Sequence, residues 1–76
     1  MSLETIISKI KQKHKLIGNE IVLEEIWVRG RKVAYISITE DNLKTILNKY
    51  FKGELDLDRS GWRKYIEKWR KEGIIT

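Results

Sequence analysis

The chain has 76 residues and no cysteine, and sixteen Lys and Arg against eleven Asp and Glu give it a net charge of +5. That length sets one small domain with a modest core. Disulfides and thiolate metal sites are excluded, and no stretch approaches the roughly 18 apolar residues of a membrane-spanning helix.

Twelve Ile and eleven Lys stand against one Ala and no Pro. Both abundant residues have AT-rich codons, and enrichment in Ile, Lys and Glu without Cys fits a thermophile. An archaeal or viral source is therefore expected. The opening MSLETIISKI carries Glu4 and no basic segment, unlike a secretory signal, so a cytoplasmic location is expected.

Residues 1–18 are predicted to form a first helix. Ser2 suits its N-cap, and Leu3, Ile6, Ile7, Ile10 and Ile17 line one side, with His14 at helical spacing between the last two. Gly18-Asn19 is a stop signal. A lone histidine makes no metal site, so His14 is read as structural or solvated.

Residues 20–39 change to a β-branched, alternating pattern broken by Arg29-Gly30-Arg31, which predicts a β-hairpin. With Gly30-Arg31 as the loop, Val28 faces Val33, Trp27 faces Ala34 and Ile26 faces Tyr35. One side then carries Ile21, Leu23, Trp27, Ala34, Ile36 and Ile38. The other carries Val22, Ile26, Val28, Val33 and Tyr35. Arg29, Arg31 and Lys32 crowd the tip.

Residues 40–52 are predicted to be helical, capped by Thr39, with Leu43, Ile46, Leu47, Tyr50 and Phe51 on one stripe. Glu54, Asp56 and Asp58 lie in a connector that lacks the glycine and downstream glutamate of a calcium loop. Residues 59–72 form the predicted last helix. Trp62, Tyr65, Ile66 and Trp69 fall on one stripe. Asp58 or Ser60 suits its start and Gly73 its end. Its other face carries Arg59, Arg63, Lys64, Lys68, Arg70 and Lys71 against only Glu67 and Glu72, so four of the five excess charges lie in residues 59–76. Localised positive charge points to a binding face for a polyanion. Ile74-Ile75-Thr76 suits a short third strand along the hairpin edge. The order predicts a single α+β domain, helix–hairpin–helix–helix (αββαα).

No nucleophile–base set can be built from one His and no Cys. No phosphate-binding glycine motif occurs. Neither an enzyme nor a cofactor or metal is expected. The last helix resembles that of helix-turn-helix and winged-helix DNA-binding domains, in the order Ser60, Arg63-Lys64, Tyr65-Ile66, Trp69 and Lys71-Glu72-Gly73-Ile74-Ile75. The resemblance covers about a quarter of the chain and implies a recognition helix whose exposed early residues, Ser60, Arg63, Lys64 and Lys68, enter the major groove. It thus implies a DNA-binding transcriptional regulator, DNA being expected over RNA. Arg59, Arg70 and Lys71 would add phosphate contacts, as would Arg29, Arg31 and Lys32 at the hairpin tip. The exposed aromatics Trp62, Tyr65 and Trp69 could instead stack on unpaired bases, but their helical register with Ile66 reads as core.

The hairpin has more apolar surface than one helical layer covers. A homodimer through Val22, Ile26, Val28, Val33 and Tyr35 is expected, which would present two basic helices to two half-sites. The alternative function is a small interaction or inhibitor module that docks a partner protein through that same apolar face.

Overall fold

The computed structural model describes residues 2–76. It comprises α1 (Leu3–Lys13), β1 (Leu16–Ile17), β2 (Glu20–Val28), β3 (Arg31–Thr39), α2 (Glu40–Phe51) and α3 (Arg63–Lys71). The strands form one antiparallel sheet in the order β1-β2-β3. A helix, a three-stranded sheet and two helices make up the α+β class that the sequence predicts. Among the described residues, no helix is long and apolar enough to cross a membrane.

Two helices begin on caps that the sequence announces. Ser2 Oγ accepts the Thr5 N–H at 3.2 Å and Thr39 Oγ1 accepts the Asn42 N–H at 3.3 Å. Each cap satisfies one of the orphan donors of a first turn. The first helix is shorter than the predicted 1–18. Beyond Lys13 the chain turns extended, and Leu16 and Ile17 pair with Ile21 and Glu20 as the third strand. Two adjacent large aliphatics there join a sheet edge rather than a helix stripe. Ile74 and Ile75 do not lie along an edge as a third strand. They are 2% and 1% exposed and fill the core.

The core joins Ile6, Ile7 and Ile10 of α1, Ile21 and Leu23 of β2, Leu43 and Leu47 of α2, and Tyr65, Ile66 and Trp69 of α3, with Ile74 and Ile75 closing it. Leu47 and Trp69 are completely buried. Burying one such side chain contributes about 1.5–3 kcal/mol, so a few of them decide whether a chain this short folds. His14 sits at the edge of this core. Its Nδ1 lies 3.0 Å from the Val22 carbonyl, and its Nε2 accepts the Trp69 indole N–H at 3.2 Å. The two partners select the neutral tautomer with the proton on Nδ1. Burial holds the imidazole pKa below the ordinary histidine value, against the opposing Val22 hydrogen bond.

The hairpin register differs from the predicted one. The two-residue loop is Arg29-Gly30, with φ of 51° and 78°, and Val28 pairs with Arg31. Positive φ at both loop residues is the hairpin turn that matches strand twist. Two bulges follow. Val33 is an extra residue in β3, opposite the step from Ile26 to Trp27, and Leu23 is an extra residue in β2, opposite the step from Ser37 to Ile36. They lie on opposite strands, so their shifts cancel and Ile21 still pairs with Ile38. Beyond Leu23 every side chain of β2 changes face, whereas Ala34, Tyr35 and Ile36 keep the faces that alternation from Ile38 gives them. Glu24, Ile26 and Val28 lie with Ala34 and Ile36 on the side of Ile21. Glu25 and Trp27 lie with Lys32 and Tyr35 on the outer side. Simple alternation places Trp27 beside Ile21, and the bulge at Leu23 reverses it.

The expected dimer surface is therefore not assembled. Val22 is buried, Ile26 and Val28 share the inner side, Tyr35 lies on the outer side and Val33 is the bulged residue. Phe51, expected on the buried stripe of α2, is half exposed.

Candidate nucleic-acid interface

The basic helix is shorter than the predicted 59–72. It begins at Arg63, with Trp62 at the N-cap position and no side-chain cap. Neither Asp58 nor Ser60 caps it, and Asp56 and Ser60 act before it instead. Asp56 Oδ1 accepts the backbone N–H groups of Asp58 and Arg59, and Ser60 Oγ accepts that of Trp62. These bonds to the backbone compete with helix formation and fold residues 56–62 into turns.

α3 ends on a glycine-dependent cap. The Ile74 N–H donates to the Trp69 carbonyl at 2.9 Å and the Gly73 N–H to that of Arg70 at 3.1 Å, with Gly73 at φ 76°. This pair of bonds satisfies the last carbonyls and needs a left-handed residue between them. It also turns Ile74 back against the core that holds Trp69. Tyr65, Ile66 and Trp69 are buried along one face, with Trp62 and Tyr65 stacked edge to face at 5.5 Å between centroids. These aromatics are core, not a stacking surface.

The exposed arc of α3 divides into two groups. The first-turn cations are tied to carboxylates. Arg63 is bonded to Asp58 and lies 3.8 Å from Glu67, and Lys64 reaches Glu24 of β2 at 3.1 Å. The Glu24 hydrogen bond raises the Lys64 pKa above the ordinary lysine value. The remaining three cations, Lys68, Arg70 and Lys71, have no carboxylate within 4.0 Å among the described residues. They occupy the last turn, where the helix dipole favours positive charge. Arg59 precedes the helix, exposed and unpaired. Ser60 spends its hydroxyl on the Trp62 N–H.

At the hairpin tip Arg29 and Arg31 are exposed and have no carboxylate partner among the described residues, whereas Lys32 bridges to Glu25 at 3.1 Å. Lys64 contacts Glu24 five residues back from Arg29, so the tip stands about 16 Å further along the strands. The two cationic groups expected to act together are thus separate surfaces of a molecule 40 Å long. The sequence reading missed the tethering of Arg63 and Lys64. Glu24 lies forty residues away, and only its polar position in an apolar strand hinted at a partner. No family model, curated protein or solved structure matches the chain.

Proposed function

We propose that the chain is a small DNA-binding protein, a regulator of transcription, that lays the exposed face of α3 against the duplex. The observation that carries this reading is the cluster Lys68, Arg70 and Lys71. Among the described residues none of the three has a carboxylate within 4.0 Å, and they are held on a helix whose opposite face is fixed by Tyr65, Ile66 and Trp69. Unpaired cations on a rigid element release counterions when they meet phosphates. Arg63 and Lys64 are the base-reading candidates. Their present pairs are solvent-exposed, and such pairs contribute only about 0–1 kcal/mol, so a phosphate or a base edge can exchange with Asp58 or Glu24. Arg59 and Ser60 flank the same surface.

Binding of a labelled duplex across a salt series tests the reading. Replacing Lys68, Arg70 and Lys71 together with Ala is expected to reduce the slope of log K against log salt by roughly 0.9 for each lost contact. An affinity and slope equal to those of the parent protein would remove α3 from the interface.

A further inference from the structure

The apolar residues left exposed in this fold are concentrated on the distal hairpin. Trp27 is 57% exposed and Tyr35 44%, and both lie on the outer side, away from the core. Cross-strand pairing places Glu25 opposite Tyr35 and Trp27 opposite Lys32. Lys32 Nζ lies 3.1 Å from Glu25 Oε2 and 6.0 Å from the Tyr35 ring centre, which fixes Glu25, Lys32 and Tyr35 on one patch, and strand pairing places Trp27 beside Lys32. Trp27 and Tyr35 are diagonal neighbours across the strands, a spacing of about 7–8 Å that two successive splayed bases of one strand can span. Arg29 in the turn supplies positive charge at the end of the patch, whereas Arg31, opposite Val28, lies on the inner side and adds only to the charge of the tip.

We propose that the outer face of the β2–β3 hairpin is a stacking platform for unpaired bases of single-stranded nucleic acid, with Trp27 and Tyr35 as its rings and Arg29 as its phosphate contact. Two large rings on an open sheet face, next to a cation, are what non-specific single-strand binders combine. The Glu25–Lys32 pair between the rings decides against a dry occupant. A protein partner or a second copy packing its apolar residues here would bury that ion pair, and desolvating two charges offsets the apolar gain. A base stacked on Trp27 leaves the pair in solvent, with Lys32 Nζ retained over the Tyr35 ring. A polyanion also complements a chain of net charge +5, which a second copy of the chain does not. The site is separate from the α3 surface and deepens the nucleic-acid reading on which it rests.

The test uses the full chain with a labelled oligothymidylate and a labelled duplex of equal length. Trp27→Ala is expected to weaken oligothymidylate binding roughly 5- to 100-fold, the loss of one base–aromatic stack, and to leave duplex binding unchanged. Trp27→Phe keeps a ring and is expected to bind near the parent level. Trp27→Leu keeps apolar bulk without a π face and is expected to bind as Trp27→Ala does. Equal single-strand affinity for Leu and Phe variants would overturn the platform, as would a parent dimer that Trp27→Ala converts to monomer without loss of single-strand binding. Trp27 is exposed, so these variants should fold; Tyr35→Ala provides an independent second ring. Duplex binding that depends on Lys68, Arg70 and Lys71, together with single-strand binding indifferent to Trp27, would overturn this proposal alone. A parent protein that binds neither probe would overturn both readings.

Discussion

His14 shows how one side chain couples two distant segments. It bonds Val22 with one ring nitrogen and Trp69 with the other, and protonation of Nε2 would set two N–H donors against each other. Burial lowers its folded pKa, whereas the unfolded chain takes up the proton near the ordinary value of about 6.5. Below that pH the unfolded state therefore binds more protons, and stability falls on acidification until the folded histidine also titrates. Thermal melts between pH 8 and pH 5 are expected to show this decline, and His14→Gln, which cannot titrate, is expected to flatten it. An undiminished pH dependence in that variant would place the acid sensitivity elsewhere. Arg29 is the other residue with a local conflict. It holds φ 51° in a turn that favours Asn, a conformation costing most side chains about 1–2 kcal/mol. Its side chain is exposed, and its charge suits the proposed phosphate contact. Arg29→Asn is expected to raise the unfolding free energy by up to about 1 kcal/mol while weakening single-strand binding. A variant that gains stability and binds as well as the parent would separate the turn from the function.

At the scale of the elements, the ends of α3 matter as much as its charge. Gly73 carries the left-handed residue of the cap, and a Cβ there would meet no atom within 4 Å. The cost of Gly73→Ala is therefore conformational alone, about 1–2 kcal/mol, and it should appear in denaturant melts as a lower midpoint with an unchanged slope. Leu47→Ala acts differently, by opening a cavity at a completely buried position, and is expected to lose about 2–5 kcal/mol. These two helices were legible in the sequence because their apolar stripes and their stop glycines repeat a period that local geometry alone enforces. The hairpin was legible as a hairpin but not in its faces. Bulges at Leu23 and Val33 have no compositional signature among β-branched neighbours, and each reverses the parity that alternation assumes. That reversal moved Trp27 outward and dispersed the five residues expected to form a dimer surface. The start of α3 was misplaced for a related reason. Asp56 and Ser60, residue types that cap helices, here bond turn backbone instead.

Two of the molecule's cationic groups lie well apart. One is the last turn of α3, beside Glu72, which Lys13 of α1 bridges at 3.2 Å. The other is the hairpin tip, which projects past the Glu24–Lys64 contact by about 16 Å along the strands. The Debye length at physiological ionic strength is about 8 Å, so Lys64 and the tip arginines are mutually screened, and each group should answer to its own ligand. On a duplex probe, removing Lys68, Arg70 and Lys71 should flatten the salt slope, and removing Arg29 and Arg31 should leave it unchanged. On oligothymidylate the dependence should invert, with Arg29 carrying a slope of roughly 0.7 as one phosphate contact. Independent groups also combine additively, so the five-fold variant should show both losses at the sizes measured separately. A tip variant that flattens the duplex slope would mean that one duplex spans both surfaces. The hairpin would then act as an extension of the helix rather than as a second site.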